Sequence, residues 1–101
     1  SYLIPGDNAI TKQIYFHINQ INSYIDELKK MEIFDATEID FFHTQLSDLI
    51  LKVSEDYNDI MFEAEEINVN PEDITANETL DSTIEEFKEL EDVLIEKLTL
   101  D

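Results

Sequence analysis

The chain contains no cysteine, which excludes disulfide bonds and thiolate metal sites. One glycine and two prolines among 101 residues are too few for a turn-rich fold and predict a few long regular elements. A single glycine also excludes a glycine-rich phosphate loop. No apolar run approaches the roughly 18 residues of a membrane span, and no signal peptide is visible, so we expect a cytoplasmic protein.

Positive charge is scarce. The chain has no arginine and six lysines against 25 acidic residues, which gives a net charge of −19. Direct binding to nucleic acid or to an anionic membrane requires basic side chains and is therefore not expected. The imbalance is concentrated in residues 55–101, with a net charge of −15, against −4 for residues 1–54. Such a surface favours a positively charged protein partner.

Apolar residues make up 43% of the chain, including fourteen isoleucines and six phenylalanines, so the acidity does not indicate disorder. Apolar side chains recur at steps of three and four, which predicts helices over about 8–31, 36–67 and 79–98. The predicted core stripes are Ile10, Ile14, Ile18, Ile21, Ile25 and Leu28; Ile39, Phe42, Leu46, Leu49, Val53, Tyr57, Ile60, Ala64 and Ile67; and Leu80, Ile84, Phe87, Leu94 and Leu98.

These stripes predict an all-α fold, an up-down-up three-helix bundle in which residues 1–101 form a single helical domain. Asp35 and Glu38 fit a capping box at the start of the second helix, and Ser82 with Glu85 resembles another. A short extra turn at 71–75, introduced by Pro71, is equally compatible with the pattern. The sequence leaves a monomer and a homodimer open.

The only histidines, His17 and His43, both fall on predicted apolar stripes, and Glu91 falls on the third stripe. In an up-down-up bundle His17 and Glu91 lie at similar heights, so we expect a core hydrogen bond between them. His43 lies about 12 Å further along the axis, too far to complete a metal site. No nucleophile–base arrangement is visible. We therefore predict no enzyme activity, no cofactor and no metal.

The third predicted helix places like charges one turn apart, which costs roughly 0.2–0.5 kcal/mol per pair. Such a run is explained either by a solvated, solubilising face or by a face that binds a basic partner. Large apolar residues off the stripes, namely Phe16, Phe41, Leu51 and Phe62, are further candidates for contact, unless other segments cover them. The predicted partner-binding residues are Asp56, Asp59, Phe62, Glu63, Glu66, Glu85, Glu86, Glu89 and Asp92.

Carboxylates on one helical face recur about every 5–6 Å and can present charge much as a nucleic acid does. The leading hypothesis is therefore a non-enzymatic inhibitor of a nuclease or another basic, nucleic-acid-binding protein, acting by DNA mimicry. Small phage anti-defence proteins, including anti-CRISPR proteins, are similar in size and charge, and a phage-encoded chain would act in the host cytoplasm. The alternatives are an immunity protein or antitoxin that neutralises a basic toxin, and a helical pairing or secretion partner.

Overall fold

A computed structural model describes residues 9–70 and 78–100. Three helices make up the fold: α1 (Ala9–Met31), α2 (Ala36–Ile67) and α3 (Glu78–Leu98). Their ends differ by at most one residue from those that the apolar periodicity predicts. The proposed turn at 71–75 lies outside the described residues.

Local interactions fix the junction between α1 and α2. The Asp35 carboxylate caps α2 by accepting a hydrogen bond of 2.8 Å from the Glu38 backbone N–H, as the capping box predicts. α1 ends where Glu32 adopts a left-handed backbone with φ of 58°, and its N–H donates to the Lys29 carbonyl at 3.3 Å. Asn68 ends α2 in the same conformation, with φ of 56°.

Contacts between helices establish the up-down-up order. The hydroxyls of Thr11 and Tyr57 are 2.8 Å apart, so the start of α1 lies beside the second half of α2. The Thr83 hydroxyl donates to Asp56 at 2.9 Å, which sets the start of α3 at the same level. The prediction of an up-down-up three-helix bundle is therefore confirmed. The bundle measures 54 × 19 × 19 Å.

The core follows the predicted stripes with a few differences. Ile50 and Leu90 are buried although neither belongs to a predicted stripe. Leu49 is only half-buried, because α2 packs against two helices and turns Leu49 toward one and Ile50 toward the other. Ile67 is 56% exposed, because the last turn of α2 extends past the level at which α3 begins.

One predicted cap is wrong. Ser82 does not cap a helix, because α3 begins at Glu78 and Ser82 lies inside the helix, one turn further on. The helix thus starts a turn before the Ser82–Glu85 pattern, in agreement with the start near residue 79 that the apolar periodicity predicts, and the Ser82 side chain is exposed to solvent.

Candidate partner-binding surface

Charge is divided among the helices very unevenly. α1 carries three lysines and two acidic residues, a net charge of +1. α2 carries nine acidic residues and one lysine, a net charge of −8, and α3 carries eight acidic residues and two lysines, a net charge of −6. Because each helix occupies its own corner of the bundle, the charge lies on the α2 and α3 side of the molecule.

The outer edge of α3 is a ridge of carboxylates. At 100° per residue, five exposed acidic side chains fall within about 80° of the direction that points away from the core. We call this set the α3 ridge: Asp81, Glu85, Glu89, Asp92 and Glu96. Lys88 lies beside it, with its ammonium 3.3 Å from the Glu85 carboxylate. Both partners of this pair are exposed, so it neutralises the ridge only weakly.

A second row of carboxylates lies on the face between α2 and α3. The helical register places Asp59, Glu63 and Glu66 on this face, and all three are exposed. Asp56 is half-buried on the same face, where it accepts the Thr83 hydrogen bond. Together with Glu86 and Glu89 of α3, these residues form what we call the acidic face.

The acidic face and the α3 ridge overlap along the bundle and together form one longer charged region. α2 and α3 are antiparallel, with Asp56 level with Thr83 and Lys52 level with Glu86. Glu66 therefore lies at one end of the charged region and Glu96 at the other, about 35 Å apart at 1.5 Å per residue. The ten carboxylates of the two sets recur on average about every 4 Å along this length, against 3.4 Å per phosphate of one DNA strand.

Lys52 is the one lysine of α2, and it lies inside the acidic face. Its ammonium donates to the Glu86 carboxylate from the neighbouring helix. This hydrogen bond raises the pKa of Lys52 above its usual value, against a smaller opposing effect of desolvation, with Glu86 and Asp56 adding further attraction. The contact joins α2 to α3 and offsets one negative charge of the face.

A groove of about 680 Å³ runs between α2 and α3 beside this ion pair. Its floor and walls include the apolar side chains Phe41, Leu49, Leu90 and Val93. Charged residues at its rim include Glu38, Asp48 and Glu89, together with Lys97. Phe41 is 57% exposed in the groove, although its ring centre lies 5.9 Å from that of Phe42, and such an exposed apolar ring is a candidate for contact.

The predicted partner-binding residues are only partly brought together. Asp56, Asp59, Glu63, Glu66, Glu86 and Glu89 share the acidic face, whereas Glu85 and Asp92 lie on the adjoining α3 ridge. Phe62 is 66% exposed on the outer edge of α2, where it borders Asp59 and Glu66 of the acidic face. The sequence-based prediction missed Glu38, Asp48 and Val93. Helical register alone could have placed Glu38 and Asp48 beside Lys52, but only the packing of α3 shows that they border a groove.

The histidines occupy different surroundings. His17 Nδ1 contacts the Glu91 carboxylate, as predicted, while His43 is half-buried on α2. Within residues 9–70 and 78–100, no group of three or more histidine, aspartate or glutamate side chains is arranged to hold a metal ion. In the same part of the chain, no helix is both long and apolar enough to cross a membrane.

The chain shows no significant similarity to any protein-family model, to any curated protein or to any solved structure.

Proposed function

We propose that the protein is a non-enzymatic inhibitor that occupies the nucleic-acid-binding surface of a basic protein. The observation that carries this proposal is the placement of carboxylates over about 35 Å of one side of the bundle. This length is close to the 34–36 Å of one turn of B-form DNA. The other side, formed by α1, has a net charge of +1.

The cost of the arrangement supports a binding role over a merely solubilising one. Glu85 with Glu89, and Asp92 with Glu96, are like charges one turn apart on the α3 ridge. Each pair destabilises the isolated helix by roughly 0.2–0.5 kcal/mol. A basic surface docked on the ridge would relieve this repulsion, so part of the binding free energy is stored in the unbound protein. A solubilising function does not require the charges to be concentrated in this way.

The proposal predicts a partner whose binding is strongly salt-dependent and competes with nucleic acid. Immobilised protein should retain basic, nucleic-acid-binding proteins from a lysate of the cells in which it acts, and moderate salt should elute them. The decisive measurement is competition: the inhibitor should displace labelled DNA or RNA from the purified captured protein. A ternary complex of inhibitor, captured protein and nucleic acid would contradict the proposal.

A matched pair of charge reversals tests which surface is responsible. Glu63→Lys with Glu66→Lys alters the acidic face, and Asp26→Lys with Glu27→Lys makes the same change in net charge on α1. All four side chains are exposed, so both variants should fold. We expect the first variant to lose displacement of nucleic acid and the second to retain most of it. Equal losses would show that net charge, rather than this surface, is responsible.

The same surface also suits an immunity protein or antitoxin. In that case the captured protein would be a toxin, and the inhibitor would block its catalysis rather than its nucleic-acid binding. The two functions differ in one readout, because an antitoxin of this type would leave nucleic acid bound while turnover stops.

A helix-pairing role has one specific observation in its favour. Leu51 and Phe62 are 58% and 66% exposed on the outer edge of α2, outside the acidic face. Binding through that edge would be nearly insensitive to salt and would be weakened by Phe62→Ser, whereas the charge reversals of the acidic face would have little effect.

A further inference from the structure

The groove between α2 and α3 combines features that a purely electrostatic surface does not need. Phe41, Leu49, Leu90 and Val93 contribute apolar surface to it, and Phe41 and Val93 remain 57% and 43% exposed. Its volume of about 680 Å³ is roughly that of twenty water molecules, enough for several side chains of a partner. A surface that only attracted charge would gain nothing from this apolar strip.

The length and shape of the groove match a helix. Its lining residues extend from Glu38 to Lys52 on α2 and from Glu86 to Lys97 on α3. At 1.5 Å per residue the α2 wall is about 21 Å long, which corresponds to about four helical turns. Two antiparallel helices present a trough into which another helix can pack, as in a four-helix bundle.

The charges at the rim specify the sign of the occupant. Glu38, Asp48 and Glu89 have no salt-bridge partner among the described residues. The two lysines of the groove are already engaged, because Lys52 contacts Glu86 and the Lys97 ammonium lies 5.9 Å from the centre of the Phe34 ring. The ring contact does not neutralise Lys97, but the three unpaired carboxylates outnumber it, so the net charge at the rim is negative.

We propose that this groove binds an amphipathic basic helix of the inhibited protein, with apolar side chains on Phe41 and Val93 and basic side chains at the acidic rim. This inference rests on the proposed function and adds the kind of segment that the partner supplies. Apolar residues at positions i, i+3 or i+4, and i+7 of that helix would face the groove. Lysines or arginines on both sides of this stripe would reach Glu38, Asp48 and Glu89.

Two synthetic peptides of about 14 residues test the inference directly. The first has leucines at i, i+4, i+7 and i+11 and lysines at the flanking positions. The second has glutamines in place of the leucines and the same lysines. Binding is measured by fluorescence anisotropy at low salt, and the site by NMR chemical-shift changes. We expect the leucine peptide to bind at least about tenfold more tightly and to perturb groove residues.

Variants of the inhibitor identify the contact. Phe41→Ser should weaken binding of the leucine peptide about tenfold, as expected for a central apolar contact. Val93→Ser, on the opposite wall, should act in the same direction. Phe62→Ser is the matched control, because Phe62 is similarly exposed, at 66%, but lies outside the groove, and it should leave binding unchanged. Circular dichroism verifies that each variant keeps its helices.

The possible results distinguish a failure of the groove inference from a failure of the proposed function. If both peptides bind equally well and Phe41→Ser has no effect, the groove inference is overturned while charge-based inhibition stands. If neither peptide binds at low salt, both proposals fail. If the unmodified chain forms a dimer that Phe41→Ser disrupts, the occupant of the groove is a second copy of the chain and the inference is overturned.

Discussion

The imidazole of His17 contacts the carboxylate of Glu91 and so joins α1 to α3 inside the bundle. The two side chains are 9% and 13% exposed, and a carboxylate can only accept, so Nδ1–H of His17 is the donor. His17 Nε2 is buried and has no hydrogen-bond partner within the part of the chain that the structure describes. The single bond to Glu91 is therefore the main compensation for burying this ring.

Removing Glu91 should destabilise the bundle. Glu91→Leu leaves both ring nitrogens of His17 without a partner, and we expect the free energy of unfolding to fall by about 1–3 kcal/mol. Adding His17→Leu should restore much of this loss, because no buried polar group then remains unpaired. Urea denaturation of the two single variants and the double variant measures the coupling. Additive losses would show that the contact contributes nothing.

Tyr57 should make the protein sensitive to alkaline pH. Its side chain is 1% exposed, and burial raises its pKa, against the opposing effect of the Thr11 hydrogen bond and with a small contribution from Tyr15. In the unfolded chain the phenol ionises near pH 10. Because the folded protein holds the phenol proton more tightly than the unfolded chain, Tyr57 contributes its full stabilisation below pH 10. This stabilisation is lost as pH rises toward the folded-state pKa.

Denaturation at pH 9 and pH 11 tests this pH dependence. Tyr57→Phe should cost about 1 kcal/mol at neutral pH, because it removes the hydrogen bond between the Tyr57 and Thr11 hydroxyls. It should also weaken the loss of stability at high pH. Tyr24→Phe is the control and should retain that loss. An identical alkaline profile for both variants would contradict the role of Tyr57.

The repulsion along the α3 ridge should be measurable as a stability gain on neutralisation. Glu89 lies one turn from both Glu85 and Asp92, so Glu89→Gln should raise the free energy of unfolding by about 0.5 kcal/mol. The gain should shrink in high salt, because screening reduces the repulsion. Glu27→Gln is the control, because Glu27 faces Lys30 at 3.2 Å and its neutralisation should give no gain. A loss of stability for Glu89→Gln would argue against a strained ridge.

Lys52 should weaken binding to basic partners while contributing little to the fold. Both members of the Lys52–Glu86 pair are more than 40% exposed, so Lys52→Gln should change stability by less than about 1 kcal/mol. The substitution frees the Glu86 carboxylate, and we expect severalfold faster association with the leucine–lysine peptide at low salt. Lys30→Gln makes the same change in net charge on α1 and should have a smaller effect. Stopped-flow fluorescence compares the two rates.

Replacing Glu32, the first residue after α1, with glycine should make the protein more stable. Glu32 has a left-handed backbone, which costs a side chain with a Cβ atom about 1 kcal/mol. Glu32→Gly should therefore raise the free energy of unfolding by about 0.5–1 kcal/mol. Glu32→Ala removes the same charge without relieving the backbone and should give no comparable gain. Thermal denaturation of the two variants separates backbone from charge.

Sequence periodicity was sufficient to predict the helices because steps of three and four define a helical face directly. The bundle order and the His17–Glu91 contact followed from the same register. Because α1 and α3 are parallel, residues at the same height along the two helices lie close together. Periodicity was less accurate where a helix touches two neighbours. Leu49 faces α3 and Ile50 faces α1, and a single stripe of apolar residues along α2 cannot assign both correctly.

The negative charge of the candidate site could be predicted from the sequence, but its shape could not. The acidic residues of α2 and α3 are evident from composition, and the register groups most of them on one face. The groove depends on how α3 lies across the first half of α2, which brings Val93 opposite Phe41. Neither residue belongs to a motif, so only the packing of two helices separated in sequence could show them as neighbours.

The weak charge of α1 should affect how the protein is oriented as it approaches a basic partner. With −8 on α2, −6 on α3 and +1 on α1, the bundle has a large electric dipole moment perpendicular to its long axis. In the field of a cationic surface such a molecule experiences a torque as well as an attraction, and it rotates its carboxylates forward before contact. A larger fraction of collisions then occurs in a productive orientation, which reduces the orientational constraint that ordinarily limits the rate of protein association.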